Sequence, residues 1–237
     1  MSTFVLIHGA WHGKWCWQNV VPLLSAAGHK VVAIDLPGLG DDQTAIADVT
    51  LSGYGKAVEQ VVRAQSEPVV LVGHSMGGMA ITQAAEYAPE RIAALVYLAA
   101  FLPANGEPLV HWARQCEGAE LVTQVADDGL TATVDPNVAL RAFYADVAPE
   151  TARDAIRRLR PQALAPFATP VETTPERFGA VPRHYIECLR DRALPVAVQR
   201  LMVAAQPCQS VQTLDTSHSP FLSAPEDLAR ALLNIVA

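Results

Sequence analysis

Six short apolar runs recur along the chain: TFVLI from Thr3, KVVAID from Lys30, PVVLVG from Pro68, ALVYLAA from Ala94, RHYIEC from Arg183 and SVQTLD from Ser210. Near-continuous runs rich in β-branched residues suit strands buried on both faces, the situation of parallel sheets covered by helices. Helix-like stretches separate them. WQNVVPLLSAAGH stops at Gly28, GGMAITQAAEYAP at Pro89 and PVAVQRLMVAAQP at Pro207, while YGKAVEQVVRAQ lies between the second and third runs. Glycine or proline just past a periodic run ends a helix. The last stretch, SAPEDLARALLNIVA, places Ser223 and Glu226 at capping-box spacing. This alternation predicts an α/β fold, a doubly wound and mostly parallel sheet with right-handed crossovers.

The pattern breaks after the strand ending near Ala100. From Pro103 to Pro182 the chain is proline-rich and helical in patches, with no convincing buried strand. An insertion of that size between two strands folds over one end of the sheet. The expected division is a core of residues 1–102 and 183–237 with a helical cap of residues 103–182. With 51% hydrophobic residues in 237, the chain can bury one large core. Its net charge of −7 comes with no basic block, which argues against nucleic acid and anionic membrane as partners. Four scattered cysteines form no CxxC pair and read as free thiols of a reducing compartment. A strand-like run at Thr3 leaves no room for a signal peptide, and no apolar stretch approaches the roughly 20 residues of a membrane span. A cytoplasmic location is the simplest expectation.

Chemistry concentrates in VVLVGHSMGGMAITQ, where Gly73-His74-Ser75-Met76-Gly77 forms G-x-S-x-G. The pentapeptide alone is only moderately specific. Here a buried strand precedes it and a helix of small residues follows, the strand–turn–helix setting of a nucleophile elbow. The plain alternative, a glycine-rich turn with an idle serine, fits that setting less well. A serine hydroxyl needs a base, and the chain order for this arrangement is nucleophile, acid, histidine. His218, in LDTSHSPFLSAPE, follows the last strand at the sheet edge where Ser75 sits, whereas His184 begins a strand. For the acid, Asp191 follows the strand ending at Cys188. Asp215 lies only three residues before His218, and Asp35 lies upstream of the serine, where it braces the LPGLG turn. Asp191 is therefore expected to orient the imidazole of His218. Two backbone N–H donors should receive the oxyanion: that of Met76, after the nucleophile, and that of Ala10, after the first strand.

The stretch HGAWHGKWCWQN admits rival readings. His8, His12 and Cys16 are spaced four apart, as for a metal clip, but His8 closes a strand and Gly9 and Gly13 break helical periodicity. Neither G-x-G-x-x-G nor G-x-x-x-x-G-K-[ST] occurs. No metal and no organic cofactor is expected.

VLIHGAWHGKWCWQNVVPLLSAAGHKVVAIDLPGLGDD, VVLVGHSMGGMAITQAAEYAPERIAALVYLAAFLP and RFGAVPRHYIECLRDRALPVAVQRLM resemble the plant methylesterase and hydroxynitrile lyase family of α/β-hydrolases. The resemblance spans nearly the whole chain and is weakest in the cap. It implies an α/β-hydrolase fold, a triad of Ser75, His218 and Asp191, and oxyanion donors at Ala10 and Met76. The lyases of the family carry threonine where Gly9 stands, glutamate where His74 stands and lysine where Ser219 stands. Their absence here implies an esterase, and SHSPFLSAPE implies a bacterial branch. Phe101 matches a pocket phenylalanine of the methylesterases. Trp112, Phe143 and Phe167 are cap aromatics that read either as pocket lining or as cap core. Gly9, His12 and Ser219 complete the expected pocket. The expected partner is a small neutral ester, because no arginine cluster stands ready for a carboxylate, and the resemblance raises a homodimer. The alternatives are a hydroxynitrile lyase using the same triad as a base, a slow-turnover ligand receptor on a hydrolase scaffold, and a non-catalytic interaction protein.

Overall fold

The run Thr3–Ile7 forms strand β1 of a computed structural model that describes residues 1–236, and every residue of the strand is buried. It lies between β2 (Lys30–Ile34) and β3 (Val69–His74). Beyond β3 come β4 (Ile92–Leu98), β8 (Arg183–Cys188) and β9 (Ser210–Leu214), so the six-stranded sheet has the order β2-β1-β3-β4-β8-β9. All of its pairings are parallel. The inner strands are buried on both faces, as their apolar runs require. β2 and β9 are the edges and stay partly exposed, with β9 alternating.

The chain leaves β1 toward β2 and then returns past it to β3, so the order reverses between β1 and β3. At such a switch point the loops at the carboxyl ends diverge and leave a crevice. The register pairs Ile7 with Gly73, which delivers His8–Ala10 beside His74 and Ser75.

Helices cover both faces. α1 (Val20–Ala26) packs on α10 (Pro225–Ile235), and α2 (Leu51–Arg63) packs on α3 (Gly77–Tyr87). Gly28 ends α1 at φ 86°, with the Gly28 and His29 N–H groups donating to Ser25 and Leu24 carbonyls. α8 (Val196–Ala205) packs against β8, and a short α9 (Pro220–Ser223) precedes α10. The capping box expected at Ser223 is not formed. Ser223 belongs to α9, where its hydroxyl donates to the Ser219 carbonyl, and Ala224 occupies the cap position of α10 without a side-chain bond.

Between β4 and β8 the insertion comprises α4 (Leu109–Ala113), β5 (Thr123–Val125), β6 (Thr131–Val134), α5 (Pro136–Phe143), α6 (Pro149–Arg157), β7 (Gln162–Ala163) and α7 (Ala165–Ala168). β5, β6 and β7 form a small antiparallel sheet. The sequence shows no convincing strand there because β5 is wholly exposed and β7 has only two residues. Pairing defines these strands, and no apolar periodicity announces them.

Candidate active site

Ser75 stands between β3 and α3 at φ 54°, a left-handed conformation that costs a non-glycine residue about 1–3 kcal/mol. Its backbone is held on both sides. The Ser75 N–H donates to the Leu98 carbonyl, and the Ser75 carbonyl accepts from Gly78 and Phe101 N–H. The turn can pack this closely because Gly77 has no side chain, and a Cβ there would meet the His8 carbonyl oxygen at 2.7 Å. The N-terminus of α3 directs its partial positive charge toward Ser75.

His218 is buried in the loop between β9 and α9. Its Nδ1–H donates to Asp191 Oδ2 over 2.7 Å. The other carboxylate oxygen, Oδ1, accepts the Ala193 and Leu194 N–H groups at 2.8 Å each, and Gln199 Nε2 donates to Oδ2 at 3.2 Å. A carboxylate fixed by three other donors holds the imidazole in one tautomer, with Nε2 free to accept a proton. The loop itself is anchored through its backbone: His74 Nε2–H donates to the His218 carbonyl, and Asp146 Oδ2 accepts the Ser217 N–H. Asp215 points elsewhere, into an exposed ion pair with Arg190 at 2.9 Å. Asp35 accepts the Lys14 and Asp41 N–H groups, and His184 pairs with the Ser210 hydroxyl.

Ser75, His218, Ala10 and Met76 line one cavity of about 370 Å³. Among the described residues, no acceptor in the chain engages the backbone N–H of Ala10 or of Met76. Phe101 and Phe167 also line the cavity. So do Trp11, Leu109, Val110, Ala113, Cys116 and Leu164, together with Ala119, Leu121 and Thr123 ahead of and within β5, and Ala193 and Leu194 beside Asp191. No lysine, arginine or carboxylate is among the lining residues.

Five residues expected at the pocket lie behind its wall. Gly9 is covered by its neighbours: a Cβ there would meet His74 Nδ1 and Ser75 Cβ at 2.9 Å. His12 is buried between the Ala10 carbonyl and the Tyr144 hydroxyl. Trp112 turns inward so that its indole N–H donates to Glu107. Phe143 packs against Trp11 and the His218 ring. Ser219 is fully buried. None of the five is among the residues that line the cavity.

Several lining positions carry a signal that sequence reasoning passed over. Leu109, Val110, Ala113 and Cys116 fall at the spacing of one apolar helix face. Gln199 carries none, because nothing in its spacing ties a glutamine on α8 to a carboxylate eight residues earlier.

Burial keeps the surrounding histidines neutral. It pushes the His8 imidazole down to about 4 and that of His12 down to about 3, and it holds His74 well below the ordinary range. His8 and His12 donate from Nδ1 to the Gly9 and Ala10 carbonyls.

A family model described as the alpha/beta hydrolase family matches residues 4–231. Methylesterase 7 of Arabidopsis thaliana is 33% identical over 252 residues, covering 98% of this chain and 95% of its own. The structure of polyneuridine aldehyde esterase superposes with a TM-score of 0.91 at 29% identity, covering 100% of both chains. That of a pyrethroid hydrolase from Sphingobium faniae JZ-2 gives a TM-score of 0.85 at 32% identity, covering 99% of this chain and 96% of that one. The chain belongs to the alpha/beta hydrolase family, in the branch that includes the plant methylesterases.

Proposed function

We propose that the protein is a serine hydrolase that cleaves a small, neutral, apolar carboxylic ester through an acyl-enzyme. His218 Nε2 takes the proton of the Ser75 hydroxyl as its oxygen attacks the ester carbonyl. The tetrahedral oxyanion is received by the Ala10 and Met76 N–H groups, and the imidazolium is stabilised by Asp191. The imidazolium then protonates the departing alcohol. Water, deprotonated by the same nitrogen, attacks the acyl carbon and frees the acid and Ser75.

The observation that carries this reading is the convergence of Ser75, His218 and two unengaged N–H groups on one cavity with otherwise apolar walls. The absence of a charged side chain from those walls favours a neutral ester over one bearing a free carboxylate. It also weighs against cyanohydrin cleavage, where a departing cyanide calls for a cation. The relatives named as esterases and a pyrethroid hydrolase are consistent with ester chemistry. Hydrolysis of p-nitrophenyl acetate, butyrate and benzoate assayed beside mandelonitrile cleavage tests the reading. Steady ester turnover with no cyanide release is the expected result. Cyanide release, or a single burst without turnover across the esters, contradicts it.

A further inference from the structure

Trp11 follows the oxyanion loop at φ 63°, a second left-handed non-glycine residue within reach of Ser75. Such a conformation persists only where the surroundings over-determine it. At Trp11 every polar group is taken, and always by the insertion. The backbone N–H donates to Gln162 Oε1 at 3.4 Å, the carbonyl accepts the Arg160 N–H at 2.9 Å, and the indole N–H donates to the Ala132 carbonyl at 2.9 Å. Gln162 is itself fully buried. Its Nε2 donates to the Tyr54 hydroxyl and the Ala163 carbonyl, which fixes its amide so that the oxygen faces Trp11.

The next residue repeats the pattern through a side chain. His12 Nδ1 lies 2.8 Å from the Ala10 carbonyl, which only accepts, so the proton is on Nδ1. Nε2 is then an acceptor, and the Tyr144 hydroxyl at the end of α5 donates to it over 2.7 Å. On the other side, His8 Nδ1–H donates to the Gly9 carbonyl at 2.8 Å, while His8 Nε2 accepts the Leu36 N–H. The Gly9 carbonyl and the Ala10 N–H belong to one peptide plane. That plane is gripped from the core by His8, and the plane after it is gripped by His12 at the Ala10 carbonyl and by Gln162 at the Trp11 N–H, with the insertion's Tyr144 holding His12 in turn.

We propose that Tyr144 and Gln162 are positioning residues for the Ala10 N–H: the insertion is the template that holds the strained 9–12 loop with this donor turned into the cavity. The proposal rests on the serine-hydrolase reading. It gives the small β5-β6-β7 sheet and the end of α5 a part in rate as well as in covering the substrate. It differs from a mobile lid, because opening the insertion would release the oxyanion donor.

A trifluoromethyl ketone adds to the serine as a hemiketal oxyanion, and the matching methyl ketone binds without that charge, so the pair separates the two roles. Tyr144→Phe should lower kcat about tenfold, leave KM within a factor of two, and raise the trifluoromethyl ketone Ki by the same tenfold with methyl ketone affinity unchanged. Gln162→Met should act in the same direction. His12→Asn, which keeps a donor near the Nδ1 position, should recover part of the rate lost in His12→Ala. In the unaltered protein, ¹⁵N shifts of His12 should show a protonated Nδ1 and a bare Nε2. Unchanged kcat and Ki, a loss confined to KM or to melting temperature, or a protonated His12 Nε2 overturns the proposal while leaving ester turnover intact. A wild-type protein that neither hydrolyses esters nor binds the trifluoromethyl ketone overturns both readings.

Discussion

Asp191 Oδ2 accepts the Nδ1–H of His218 at 2.7 Å, whereas Asp215, three residues before that histidine, is spent on Arg190 at the surface. The nearer residue in sequence is the wrong distance in space because β9 ends at Leu214 and the loop turns inward only afterward. Asp191 reaches the imidazole from the adjacent β8, with both oxygens already oriented by Ala193, Leu194 and Gln199.

The two aspartates should therefore behave differently. Asp191→Asn is expected to lower kcat by about 10³–10⁴-fold by favouring the wrong imidazole tautomer. Asp215→Asn should stay within a factor of two of wild type. Steady-state kinetics on one neutral ester with both variants decides the matter, and comparable losses in both would remove Asp191 from its role.

Gly9 is required by proximity. Gly9→Ala places a methyl 2.9 Å from both His74 Nδ1 and Ser75 Cβ; Ser75 Cβ moves only with its backbone, and the buried His74 ring is tied through Nε2 to the His218 carbonyl. A loss of about 1–3 kcal/mol of stability is expected, with a fall in kcat larger than any change in KM. Thermal melts and kinetics on the same preparation test it, and a wild-type melting temperature would show that the loop yields.

Acid should unfold the protein through its buried histidines. His8, His12 and His74 are held neutral in the fold, with His8 near 4 and His12 near 3, and they protonate near 6.5 once the chain unfolds. The unfolded chain thus binds more protons between those values, so stability is full above about pH 6.5 and is lost as pH falls toward 4. Each of His8 and His12 contributes on the order of 3 kcal/mol to that loss. Urea unfolding across pH 7 to 4.5 should show a steep decline, and replacing His12 by glutamine should make it shallower by about one proton. A flat profile would mean that these rings are not excluded from water.

The cavity walls set size selection. Val110 lines the cavity from α4. Val110→Phe should raise KM for a benzoate ester about tenfold or more while leaving an acetate ester nearly unchanged, the scale of discrimination that apolar fit supplies. Equal effects on both esters would place the acyl group elsewhere.

The sheet was legible in the sequence because its inner strands are runs whose burial leaves little choice of structure, and Gly28, Pro89 and Pro207 mark helix ends in the expected way. Ser75 and His218 were legible for a related reason: strand ends at the carboxyl edge of a parallel sheet converge on a switch point. The insertion was not. Gln162 pairs with Ala132 across a two-residue strand, and Tyr144 finds His12 over 132 positions. No periodicity encodes either meeting. Trp112, Phe143 and Phe167 stayed open between lining and core because a large aromatic reads alike in either place; Phe167 lines the cavity, whereas the indole of Trp112 donates to the carboxylate of Glu107. Ser223 resembled a cap, but it ends the short helix that Pro220 starts, and Pro225 starts a separate one.

The most direct test of the account is covalent labelling of Ser75. A fluorophosphonate probe should add once per chain, with the adduct found by mass spectrometry on the peptide containing Ser75. Labelling should vanish in Ser75→Ala and slow by orders of magnitude in His218→Ala. An adduct that persists in Ser75→Ala, or that forms on another residue of the wild-type protein, would contradict the assignment of Ser75 as the nucleophile.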